Sequence, residues 1–331
     1  MSSIPAAPPA PRELGGPGRP QLLSALILAR NYAALILFAV LFVVLSIASP
    51  AFLTSQNLLN ILSQQAPVAI IACAMTLVII AGSFDLSTGA IVAVANVLAA
   101  KVAVDTGSVW LGMLCAPAVG LGLGVVNGLI ITLFRIHSFL ATLATSLVYS
   151  GLALLITNGA LIPVSLPGFT WLGQGALGEV ANASLLLIAF AICAMVLLNR
   201  TVTGRHVFAV GGNPEAALLS GIRVNLIHVV TFAFSGLASG LAAAILVSRV
   251  QSGQPTQGAS FTLTAIAAVI LGGTSIYGGA GAVWRSLIGV YLLALIGNGF
   301  NLLGANPFYE SLVTGVVIVS AVALAAAGRR R

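Results

Sequence analysis

The sequence predicts an all-α fold: a polytopic transmembrane helical bundle of about ten spans, two of them short and Gly-interrupted, with the N- and C-termini cytoplasmic. Composition, the lengths of the apolar runs and the placement of the basic residues carry that expectation. Of 331 residues, 59% are hydrophobic and 6% are charged, and the mean hydropathy is +1.13. Soluble domains carry roughly 25% charged residues, so lipid is the main solvent here. The formal charge of +7 does not point to nucleic acid, because the basic residues are too few and too scattered to track a phosphate backbone. Cys73, Cys115 and Cys193 each lie inside an apolar run, which excludes a disulfide framework and gives no metal-ligand spacing.

Residues 1–30 are rich in Pro, Gly and Ser, carry Arg12, Arg19 and Arg30, and lack a signal-type cleavage site, so they are expected to form a disordered cytoplasmic tail. The membrane domain is expected over 31–327, and 328–331 is a basic cytoplasmic tail. A span takes about 20 apolar residues. Candidate spans fall at 31–49, 67–82, 86–104, 109–133, 137–157, 184–198, 226–248, 259–273, 286–303 and 309–327. Threading them from a cytoplasmic N-terminus puts every basic residue inside except Lys101 and Arg249, as the positive-inside rule requires. The longest outer loop then runs from Asn158 to Ala183 and holds Trp171, a residue suited to the membrane interface. Gly120, Gly124 and Gly128 recur every fourth residue, as do Gly236 and Gly240. Small residues on one helix face allow close backbone approach in lipid, so these stripes predict packing faces rather than a dinucleotide fingerprint.

The second and eighth spans are expected to be short. From Pro67 to Ala81 the apolar run would reach only about 22 Å, against a hydrocarbon core of roughly 30 Å. It ends in Gly82-Ser83-Phe84-Asp85-Leu86-Ser87-Thr88-Gly89, and the eighth ends in Gly272-Gly273-Thr274-Ser275 with Gly278-Gly279 following. The matching stretches Val78–Gly82 and Val269–Gly273 are a trace of an internal parallel repeat. Short, Gly-interrupted spans at corresponding places point to a transport pathway. Asp85, Ser87, Thr88 and Asn96, with Gly272, Gly273, Thr274 and Ser275, are therefore candidates for the path or its gate. Asp85 or Ser83 could equally cap the helix that follows. Gln64, Gln65, Asn127, Asn298 and Asn301 are read either as helix–helix hydrogen bonds or as solute contacts. His137, His206 and His228 have no partner pattern for a metal or for catalysis, and Glu310 reads as a first-turn helix acid.

Between Arg205 and Arg223 lies a short non-spanning helix. Asn213 is a suitable N-cap, Pro214 suits the first position, Glu215 complements the positive helix end, Ala216 and Ala217 follow, and Gly221 stands where a helix would stop. A helix of about two turns is marginal in water and must dock against something. That is its own membrane domain or a soluble partner.

These blocks carry a family resemblance. The Gly82–Gly89 stretch resembles the Gly-Gly-Ile-Asp-Leu-Ser-Val-Gly signature of the ribose/xylose/arabinose permeases of ATP-binding-cassette importers. Val210-Gly211-Gly212-Asn213-Pro214-Glu215-Ala216-Ala217 is similar to that group's ATPase-docking loop, and Ala265–Ser275 with Gly278-Gly279 matches a third block. The chain departs at Ser83 and Phe84, and at Thr262 and Thr264, where the family usually carries acids. The resemblance implies a multi-pass protein of the bacterial inner membrane, with a separate ATP-binding subunit, an extracytoplasmic solute-binding protein and a second permease chain. It implies a small neutral sugar as solute, and Gly211 to Ala217 with Gly221 as the ATPase-coupling helix. No catalytic, metal or cofactor site is expected. Lys101 is the only lysine and sits in no phosphate-binding loop, so energy must come from a partner or an ion gradient. A permease for a nucleoside or branched-chain amino acid is the nearest alternative, and an ion-coupled transporter relying on Asp85 is the next.

Overall fold

In lipid every backbone polar group must be satisfied within the protein, so long apolar sequence is driven into helices. The computed structural model describes residues 33–306, 308–310, 312–317 and 319; the expected tails at 1–30 and 328–331 lie outside them. The helices run in order α1 (Ala33–Ala48), α2 (Ser55–Ile80), α3 (Thr88–Thr106), α4 (Val109–Phe134), α5 (Ser138–Thr157), α6 (Asn182–Arg200), α7 (Val202–Gly212), α8 (Pro214–Leu219), α9 (Val224–Val250), α10 (Phe261–Leu271) and α11 (Val283–Leu302). A last apolar helix, α12, follows at Phe308–Val317. Each of the ten predicted apolar segments overlaps one helix. Seven helices, α2 to α6, α9 and α11, are long and apolar enough to cross a membrane. The only strands among the described residues are two-residue pairings, Ile162–Pro163 with Ser252–Gly253 and Ala176–Leu177 with Val180–Ala181.

The second span is not short. Helix α2 has 26 residues and begins twelve positions before Pro67, with Thr54 as its N-cap. The apolar run was read from Pro67, a residue that lacks an N–H and, inside a helix, strips the carbonyl four residues back of its partner. That carbonyl belongs to Ser63, and the Arg249 guanidinium donates to it over 2.8 Å. The cation from the end of α9 thus replaces the missing proline N–H. Helix α10, with 11 residues, does match its short expectation, at about 16 Å.

Helix α2 is the axis of the bundle: every residue from Ala66 to Ile80 is buried, against α6, α9, α10 and α11. The predicted glycine stripes meet each other. A Cβ on Gly120 would meet Gly236 and Gly240, and one on Gly124 would meet Phe232 and Gly236, so α4 and α9 cross backbone to backbone. This crossing is the most extensive helix–helix contact in the bundle. Helix α5 packs on the outer face of α3, and α1 on α11.

Between α9 and α10 the chain is irregular yet runs inside the bundle along α3. Gly253 lies against Val97 and Ala100, and Gly258 against Val92. Two side chains receive its polar backbone and secure its end. Asn96 Oδ1 accepts from the Gln254 N–H at 2.7 Å, and Thr262 Oγ1 accepts from the Gly89 N–H at 2.9 Å. The 158–181 loop caps the same end of the bundle: the Gly173 N–H donates to Ser248 Oγ, Gln174 Nε2 donates to the Arg249 carbonyl, and Trp171 meets Trp110.

Candidate functional site

Helices α2 and α10 end in the same way. Gly82 adopts φ +81° and Gly273 φ +89°. In each, the glycine N–H and the next N–H fold back onto the last turn: Gly82 to Ile79 and Ser83 to Val78, then Gly273 to Ile270 and Thr274 to Val269. This left-handed stop needs a residue without a Cβ. The five-residue match in sequence therefore corresponds to two helix ends with the same hydrogen-bond pattern.

The loops beyond these stops meet the end of α7. The Gly279 N–H donates to the Ile80 carbonyl at 2.8 Å. Gly211 is wedged against that carbonyl and against Gly279, while a Cβ on Gly278 would lie 3.0 Å from Gly82 Cα. Three blocks that are far apart in sequence thus converge at one glycine junction, and Gly211 and Gly212 form its α7 side. Gly272 packs on the Arg285 carbonyl, and Thr274 is buried. The Ser275 N–H donates to Ala280. Gly82, Gly278 and Gly279 were not among the expected site residues; each motif was visible singly, but not their meeting point.

Directly beyond the junction, α8 forms as its residues dictate. Asn213 Oδ1 accepts from the Ala216 N–H at 3.0 Å, Pro214 stands at the first position and Glu215 in the first turn. Gly221, at φ +82°, ends the helix with the same left-handed stop. Only Ala217 is buried, while Glu215, Leu218 and Leu219 project outward, Leu219 at 90% exposure. The helix before it, α7, was not expected; its signal was the spacing of Gly204, Val207 and Val210, the three residues it buries.

Asp85 is fully buried. Its carboxylate accepts from the Ser87 N–H at 3.0 Å, Ser87 Oγ at 2.6 Å and Ser235 Oγ at 2.7 Å. Ser87 Oγ also accepts from Asn127 Nδ2, whose Oδ1 accepts from Tyr149. The Asp85 carboxylate therefore ties α4, α5 and α9 to the start of α3. Its direct contacts are with its own turn and with α9, and through Ser87 with α4 and α5, not with the N–H groups of the first turn of α3. Thr88 pairs with Thr262 at 2.9 Å. Asp85, Ser87, Thr88 and Asn96 are all 0% exposed, so none faces open space in this conformation.

The open polar surface lies elsewhere. A cavity of about 380 Å³ sits between the first half of α2, the first turn of α10, the last half of α11 and α12. Gln64, Gln65, Thr264, Asn298, Asn301 and Glu310 supply its polar lining. It lies near Ser63, hence at the end of the bundle opposite α8.

A family profile described as the permease component of branched-chain amino acid transport systems matches residues 57–322. The chain belongs to this permease family. The ribose import permease of Bacillus subtilis (strain 168) is 44% identical over 288 residues, 86% of this chain and 89% of that one. The ribose import permease of Escherichia coli (strain K12) is 40% identical over 297 residues, covering 87% and 91%. The L-arabinose transport system permease of the same strain is 35% identical over 292 residues, covering 88% and 89%. No solved structure matches the chain. The chain is therefore a permease subunit of the ATP-binding-cassette importers, a multi-pass protein of the bacterial inner membrane and not an enzyme.

Proposed function

We propose that this permease moves a small neutral sugar of the pentose class across the membrane, driven by a separate ATP-binding subunit. The observation that carries the solute class is near-complete coverage by permeases named for ribose and arabinose, at 35–44% identity. The family profile is named for branched-chain amino acids, but a profile spans many solutes and aligned relatives are nearer evidence. The sparse charge of the membrane domain agrees with a neutral solute.

The ATPase grips α8. Its exposed Glu215, Leu218 and Leu219 offer one charge and two apolar anchors, and the glycine junction behind it contacts the ends of both α2 and the α10–α11 connection. Ten spans with both termini cytoplasmic put α8 inside and the 158–181 loop outside, where a solute-binding protein would dock. A second copy completes the importer. The buried network of Asp85, Ser87, Thr88 and Asn96, with Gly272 to Ser275, acts as the frame of a gate. It holds the irregular segments at membrane depth rather than touching the solute.

Co-expression with the ATP-binding subunit tests this. The two should co-purify, and Glu215→Lys should abolish ATP-driven pentose uptake while the chain still inserts. Uptake into liposomes by this chain alone, driven by a proton or sodium gradient, would refute the importer.

A further inference from the structure

We propose that the cavity between α2, α10, α11 and α12 is a binding subsite for a neutral polyhydroxylated solute, so that the membrane chain itself recognises its cargo. This inference rests on the permease function above and adds a site to it.

Helix α10 spans only part of the bundle, because the chain before it runs as irregular turns against α3 from Gly253 to Gly258. Its first turn, with Thr264, borders the cavity. The cavity holds about 380 Å³, near the lower end of the roughly 300–1,000 Å³ of small-molecule pockets, a size suited to one monosaccharide with a few waters.

The lining chemistry is specific. Four carboxamides, Gln64, Gln65, Asn298 and Asn301, each present a donor and an acceptor. A hydroxyl is also both donor and acceptor, so carboxamides match a polyol at every group. Asn298 is held in place by reciprocal hydrogen bonds with Asn57, at 2.8 and 3.3 Å. Gln64, Gln65, Asn301 and Glu310 make no side-chain hydrogen bond or ion pair among the described residues. Gln65 and Glu310 are half-buried while Gln64 and Asn301 stand exposed at the mouth, and half-buried polar groups in a membrane protein are costly unless partnered by protein, water or ligand. The Glu310 carboxylate lies over Gly297, where a Cβ would come within 2.7 Å of its oxygen. It can accept from vicinal hydroxyls and repels phosphorylated sugars.

The test uses the full chain in liposomes with Cys115 and Cys193 replaced by alanine and Asn301→Cys as the reporter. Cys73 is buried and stays silent. D-Ribose should slow maleimide labelling at position 301 at least threefold, and D-ribose 5-phosphate should not. Labelling indifferent to D-ribose overturns the subsite, including the case in which a second copy simply covers the cavity. In the complete importer, Gln65→Leu should slow uptake at saturating D-ribose at least fivefold with the ATPase still bound, and Gln65→Asn should restore part of it. Full-rate uptake by Gln65→Leu overturns the subsite while leaving the permease function intact. Protection at position 301 combined with no ATP-driven uptake by the wild-type importer would do the reverse. Should Gln65→Leu fail to assemble, the labelling result decides.

Discussion

Replacing Gly124 with alanine should weaken the bundle, whereas the same change at Gly122, two residues away, should not. A Cβ at Gly124 would stand 2.9 Å from Gly236 Cα and 3.0 Å from Gly236 N, and closer still to the Phe232 carbonyl. Carbon atoms rest at about 3.5–4.0 Å, so α4 and α9 must part by roughly half an ångström or more. The obstacles are backbone atoms, which no rotamer change can move aside. Gly122 is exposed with nothing within 4 Å of a Cβ. Both substitutions gain the same helix propensity, about 0.8–1 kcal/mol, and that gain cancels in their difference. What remains is the overpacking cost at Gly124, about 1–3 kcal/mol.

The damage should also reach the Asp85 network. Asn127 follows Gly124 by less than one turn on α4, and Ser235 adjoins Gly236 on α9. Their bonds to Ser87 and Asp85 are both 2.7 Å, which leaves little tolerance for a shift. Thermal denaturation in detergent, read as the monodisperse fraction after heating, should rank Gly124→Ala below Gly122→Ala and wild type. Equal midpoints for the two variants would refute the backbone-to-backbone crossing.

Two further outcomes follow from particular contacts. Arg249→Leu leaves the Ser63 carbonyl without a donor and should cost about 1–3 kcal/mol, but less in a Pro67→Ala background, where the restored N–H takes over. The four chains form a double-mutant cycle, and strictly additive stabilities would show that Arg249 does not stand in for that N–H. Gly211→Ala drives a Cβ into the Ile80 carbonyl and Gly279, so uptake should fall at least tenfold while the ATPase still co-purifies through the exposed face of α8. Unimpaired uptake would mean that the glycine junction does not transmit motion.

Local features of the sequence were sufficient wherever the cause of a structure lies within a few residues. Apolar run length set the succession of membrane helices, and Asn213, Pro214 and Gly221 set α8, because capping and helix stops are short-range. The Gly82 and Gly273 stops were legible as a repeat for the same reason. Tertiary structure decided everything that depends on which faces meet. The stripes at Gly120/Gly124 and Gly236/Gly240 each announced a packing face, but not that each packs on the other. The apolar run seemed to begin at Pro67, and nothing local showed that the helix continues through it, because the donor that repairs the proline gap, Arg249, lies 186 residues from Ser63. Asp85 resembled a cap because Ser235, 150 residues on, is invisible to local reasoning. The polar cavity needed four helices to assemble, and Gln64, Gln65 and Asn301 carry no mark in sequence that separates a lining amide from a packing one. Hydrogen bonds and close packing act over ångströms in space, so a chain records them only where neighbours in space are also neighbours in sequence.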